Sequence, residues 1–152
     1  MRKPAGTKLK SKTKIQAKQQ AQPSESLESV YERLSKLLSR QAPPFRFQDL
    51  AVRDKKSVQL VVPKPVVVPG AYGGKPVDLQ FAAAILQKGY VGFYLMCIYT
   101  NQEMKKKLSP ALLKLLKGKT CFQLKNLDVC LENDIEVALQ AGAECYRERG
   151  WV

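Results

Sequence analysis

Apolar positions are densest over Val77–Thr100, VDLQFAAAILQKGYVGFYLMCIYT, where two hydrophobic runs flank the polar Gln87-Lys88-Gly89. That layout predicts a β-hairpin with a three-residue loop and Gly89 in the left-handed position. In this register Leu86 faces Tyr90, Ala84 faces Gly92, Ala82 faces Tyr94 and Gln80 faces Met96. One face then carries Val77, Leu79, Phe81, Ala83 and Ile85 beside Val91, Phe93, Leu95, Cys97 and Tyr99, and is the expected core face. The other sets Asp78, Gln80, Ala82 and Ala84 beside Tyr90, Tyr94, Met96 and Ile98. Small residues next to two tyrosines describe a shallow trough. A two-residue Lys88-Gly89 turn would move the pairing by one and exchange every partner; the three-residue loop gives the cleaner apolar face.

Helical periodicity brackets this hairpin. Leu27, Val30, Tyr31, Leu34, Leu37 and Leu38 form one stripe, opened by Ser26 as N-cap and ended by Pro43-Pro44, with Arg33, Lys36 and Arg40 on a solvated face. Residues 45–56 mix apolar and charged types and read as a connection pinned by Phe45 and Phe47. Ser57–Val62 reads as a strand, and Pro63 and Pro65 either end it or make Val66–Val68 an edge. After the hairpin, Thr100 and Glu103 match a capping box for a short helix to Lys107. Ser109 and Pro110 start another helix that Gly118 stops. Lys119–Lys125 reads as a short strand. A last helix begins near Asp128 with the stripe Leu131, Ile135, Ala138, Leu139, Gly142, Cys145 and Tyr146. Gly142 marks a close approach to the sheet, and beyond Gly150 the chain lets Trp151 fold back. The fold class is α+β: a small antiparallel sheet centred on the 77–100 hairpin, packed by an N-terminal helix and C-terminal helices.

Charge alters the picture at the N-terminus. Residues 1–24 hold seven cations and no acid, so they supply +7 of the net +13 and the rest of the chain supplies +6, 19 cations minus 13 acids. Such a segment cannot bury enough apolar surface to offset its ordering entropy, and it is read as a disordered basic arm before a single domain over 25–152. The arm lacks the apolar centre of a secretory signal, and its lysine-rich composition fits a mitochondrial transit helix poorly. No apolar run has the length of a membrane span. Four cysteines without a CxxC pair, and no histidine at all, fit neither a zinc site nor a disulfide framework; they read as free thiols of a cytoplasmic protein.

Candidate chemistry is thin. Pro69–Pro76, PGAYGGKP, has glycines and a lysine, but Lys75 runs into Pro76 and a strand pattern, where a phosphate loop needs a helix. Tyr72 and Lys75 remain as contact residues of a flap. Without histidine, a serine or cysteine nucleophile lacks its usual base, and no pair of carboxylates stands out, so no enzyme and no cofactor is expected. The leading reading is a binding module using Tyr72, Lys75, Asp78, Ala82, Tyr90, Tyr94 and Met96 for a small ligand or a partner protein. The alternative is non-specific nucleic-acid association through Lys8, Lys10, Lys12 and Lys14 of the arm and Lys105, Lys106 and Lys107.

Three stretches, YVGFYLMCIYT at 90–100, LSPALLKLLKGKTCFQLKNLD at 108–128 and AGAECYRERGWV at 141–152, resemble the YdhG-like domains, small bacterial α+β domains mostly of unknown function. The resemblance covers about residues 27–152. It implies an antiparallel sheet packed by helices and no established enzymatic role. One branch of that family is described as a frataxin-like iron chaperone. Its chemistry wants clustered carboxylates or histidines, whereas Glu132, Asp134 and Glu136 alternate along a helix and do not share a face.

Overall fold

Ser26 opens the first helix among the described residues of the computed structural model, which are 25–52 and 55–152; the arm expected over 1–24 lies outside them. The Ser26 hydroxyl accepts the Ser29 N–H at 3.1 Å and starts α1, Leu27–Ser39. Its stripe buries Val30, Tyr31, Leu34, Leu37 and Leu38. Arg33 is not on a solvated face, because it is ion-paired to both Glu25 and Glu132.

The stretch after Pro44 is a strand rather than a connection. β1, Arg46–Val52, pairs antiparallel with β2, Lys55–Val61. Its polar sequence is that of an edge strand, and Phe47, expected to pin the core, is exposed while Phe45 is buried. The Pro-rich excursion that follows makes its own two-stranded sheet from β3, Val66–Val67, and β4, Pro76–Val77. β5, Gln80–Leu86, and β6, Val91–Leu95, then form the central hairpin, shorter than the 77–100 span expected. After α2, Cys97–Thr100, comes a 3-10 turn over Gln102–Lys107, and Asn101 rather than Thr100 caps it, accepting the Glu103 N–H at 3.0 Å.

Ser109 caps α3, Pro110–Leu113, which is too short to reach Gly118. Gly118, at φ +79°, instead turns β7, Leu116–Lys117, into β8, Cys121–Leu124. The last helix, α4, spans Val129–Glu148, with the Asp128 carboxylate accepting the Leu131 N–H at 2.8 Å. The fold is α+β: one six-stranded antiparallel sheet in the order β1-β2-β5-β6-β8-β7, with α1 and α4 packed on one face.

The hairpin register differs from the expected one by a residue. Its loop is Gln87–Tyr90, closed by the Gln87 N–H donating to the Tyr90 carbonyl at 2.9 Å, and Gly89 has no positive φ. Ala82 now opposes Leu95, Ala84 opposes Phe93 and Leu86 opposes Val91. Because side chains alternate, this one-residue change inverts the β5 face while leaving the β6 face as expected. Ala82 and Ala84 are buried in the core, and Ala83 and Ile85 lie on the other face with Tyr94 and Gly92. Phe81 reaches the core all the same, because a bulge opposite Leu60 and Val61 turns two successive residues to the helices. There it stacks on Phe45 at 4.0 Å and meets Tyr146 edge-on at 5.1 Å. Gly142 makes the close approach expected of it: a Cβ there would lie 2.8 Å from Cys97 Sγ and 3.0 Å from Phe81 Cε1.

Candidate functional site

Four separate segments meet where the sheet ends beside the last turn of α4. The β3–β4 excursion brings Val68, Ala71 and Tyr72; Leu79 leads into β5; Met96, Tyr99 and Thr100 follow β6; Lys119 and Thr120 lead into β8. Tyr146 and Trp151 close the ring from the C-terminus, and the group encloses a pocket of about 310 Å³. Pockets of this size and apolar character are where small ligands bind.

Each wall has a local reason for its position. Gly150, at φ +77°, reverses the chain after α4, and the Trp151 N–H donates to the Tyr146 carbonyl at 3.0 Å. The Trp151 ring thus stands edge-on to Tyr146 at 5.1 Å, and the Arg149 guanidinium covers it at 5.1 Å. Tyr146 donates its hydroxyl to the Gln80 carbonyl at 2.7 Å, and burial raises its pKa, so it stays a neutral donor. Tyr72, which opens the short 3-10 turn Tyr72–Gly74, is held at φ +53°, a left-handed conformation uncommon for an aromatic residue. Two large rings, Tyr72 and Tyr99, are more than half exposed at the mouth. Lys119 Nζ sits 5.2 Å from the centre of the Tyr99 ring, and among the described residues the lining holds no carboxylate to neutralise it.

The expected site residues are dispersed by this geometry. Tyr72 and Met96 line the pocket. Lys75 is exposed on the loop outside it, and Asp78 is ion-paired to Arg46 at 2.7 Å. Ala82 is a core residue, so the expected trough of Ala82, Tyr90, Tyr94 and Met96 does not exist in that form. Tyr90 belongs to the hairpin loop, and Tyr94 lies on the sheet face away from the helices. Burial, with the Cys121 thiol beside it, raises the Tyr94 pKa. Lys105 lines a neighbouring cleft with Tyr99 and Lys119, Lys106 pairs with Glu103 at 2.9 Å, and Lys107 is exposed. Lys8, Lys10, Lys12 and Lys14 lie outside the described residues. Sequence reasoning missed Tyr99, Lys119, Thr120 and Tyr146 as wall residues. The only usable signal was the lone tryptophan following Gly150, which marks a fold-back onto something aromatic.

Among the described residues, no group of three or more acidic, cysteine or histidine side chains is placed to hold a metal ion. Glu132 and Glu136 are tied to Arg33 and Arg40, and Asp134 accepts the Ser109 hydroxyl. No described helix is long and apolar enough to cross a membrane. No family model, curated protein or solved structure matches this chain.

Proposed function

We propose that this chain is a YdhG-like binding domain of the cytoplasm, and that its ligand is a small anion with a flat apolar body. The reading takes the protein as a binder with no catalytic step of its own. One observation carries it: an apolar pocket of about 310 Å³ with exposed Tyr72 and Tyr99 at its mouth, Lys119 beside them and no carboxylate among the described lining residues. The apolar body is matched by Leu79, Met96 and Trp151, and the anionic group by Lys119, with the hydroxyls of Thr100 and Thr120 in the same lining. Free cysteines agree with a reducing compartment.

Trp151 is the chain's single tryptophan, so its emission reports on this pocket alone. Titrating the full chain with hydrocinnamate should give a saturable emission change, larger at equal concentration than with the uncharged hydrocinnamamide. Lys119→Met should remove the preference for the acid, and Tyr99→Ala should weaken both. A response that is unsaturable, or that survives both substitutions unchanged, would overturn the reading.

A further inference from the structure

The second sheet face has a chemistry of its own. The helices α1 and α4 pack on the opposite side, and one continuous row crosses all six strands here: Gln48, Gln59, Ala83, Tyr94, Cys121 and Lys117. The neighbouring row brings Leu50, Ser57, Ile85, Gly92 and Gln123. The β2–β5 half of this face forms an open trough of about 450 Å³ floored by Ser57 and Ala83.

Three features of that face converge. The first is an aromatic ring laid down on the sheet. A Cβ at Gly92 would lie 2.9 Å from Tyr94 Cε2 and 3.2 Å from its hydroxyl, so the ring occupies the space that any other residue at 92 would fill. The second is a ladder of primary amides. Gln59 Nε2 donates to Gln48 Oε1 at 2.7 Å and Gln80 Nε2 donates to Gln59 Oε1 at 2.6 Å, which fixes their planes and leaves further donors and acceptors free. The third is charge. Lys55 and Lys117 border the face with Lys125, and among the described residues no acid occupies a strand position on it; Asp49 opposes Val58 and so points to the helix side. At the β8 border Asp128, the α4 cap, and Asp134, which accepts the Ser109 hydroxyl, line a cleft together with Lys114, Lys117 and Lys125, so cations outnumber acids there.

We infer that this face binds single-stranded nucleic acid, stacking an unpaired base on Tyr94, offering the glutamine amides to base edges and meeting phosphates with Lys55, Lys117 and Lys125. Stacking on a ring that lies along a sheet requires a base free of its partner, so a duplex is excluded from the same contacts. Amides pair with base edges through a donor and an acceptor together, which the oriented glutamine ladder supplies. The site is separate from the pocket at the sheet end and shares no residue with it.

The test uses the full isotope-labelled chain and an unstructured oligouridylate of about eight nucleotides. Amide shifts should cluster on Gln59, Ala83, Tyr94 and Gln123. Tyr94→Leu should weaken binding roughly tenfold, and Gly92→Ala, which lifts the ring without removing it, should weaken it as well. Lys117→Gln with Lys125→Gln should reduce the slope of log affinity against log salt by about 1.4, or about 0.7 for each phosphate no longer neutralised. The inference is overturned if shifts are confined to residues 1–24 or 105–107, if a duplex binds with the same sensitivity to Tyr94, or if Gly92→Ala and Tyr94→Leu bind as the native chain does. The wild-type shift map decides the matter even if Tyr94→Leu proves unfolded.

Discussion

At the scale of single residues, the tightest fit is under α4. Glycine inside a helix is about 1 kcal/mol less favourable than alanine, so Gly142→Ala would stabilise an exposed helix. Here the added Cβ meets Cys97 Sγ at 2.8 Å and Phe81 Cε1 at 3.0 Å, and Phe81 is itself held by stacking on Phe45 and by an edge-on contact with Tyr146. Overpacking of this kind costs about 1–3 kcal/mol, so urea unfolding should show Gly142→Ala destabilised by about 1 kcal/mol, partly restored when Cys97→Ala is added. The same packing governs thiol chemistry. Burial, then the neighbouring Cys145, pushes the Cys97 thiol up to about 12, whereas Cys130 is exposed. A native-state thiol titration should therefore modify Cys130 first and reach Cys97 only on unfolding. Modification of Cys97 in the folded chain would contradict this packing.

At the scale of elements, the helices are the legible part because each carries its own start signal and stripe. Asp128 accepting the Leu131 N–H at 2.8 Å is such a signal, for a helix of 20 residues. Asp128→Ala should cost about 1 kcal/mol in urea unfolding, and Asp128→Asn much less, since an amide oxygen still accepts the N–H. The strands were less legible for physical reasons. One additional loop residue in Gln87–Tyr90 reverses which β5 residues face the helices, and the bulge at Phe81 restores one of them, so neither effect is visible as a simple alternation. β1 lacks an apolar face because it is an edge strand, which leaves no pattern to read. The pocket was illegible for a different reason. Its walls come from residues 68–79, 96–100, 119–120 and 146–151, segments joined only by the fold, and Ala82 could not be removed from the candidates until the register was known.

At the scale of the whole molecule, charge follows the two-layer design. Glu132, Asp134, Glu136, Glu144 and Glu148 against Arg147 make α4 acidic, Arg33 and Lys36 balance Glu28 and Glu32 on α1, and the opposite sheet face is bordered by lysines. The two long helices are joined by an acid that precedes both. Glu25 accepts from Arg33, from the Ser29 hydroxyl at 3.0 Å and from the Leu127 N–H at 3.2 Å, and Arg33 reaches on to Glu132 at 2.9 Å. Burial of the Glu25 carboxyl works to raise its pKa, but Arg33, Ser29 and Leu127 together outweigh it and hold the group below its ordinary 4.5. A depressed folded pKa means that the charged form favours the folded state, so this contribution is complete above about pH 4.5 and is lost as pH falls through the lowered value. The Glu25 side chain is 20% exposed and Arg33 is 35% exposed, so solvent screening keeps the clamp to about 1 kcal/mol. Urea unfolding at neutral pH should show Glu25→Gln less stable by that amount, with the two chains converging at about pH 2, where Glu25 is protonated in both folded and unfolded states. A gap that stays constant between those pH values would assign the clamp to shape and hydrogen bonding alone, and Arg33 would then hold α1 to α4 without help from the charge on Glu25.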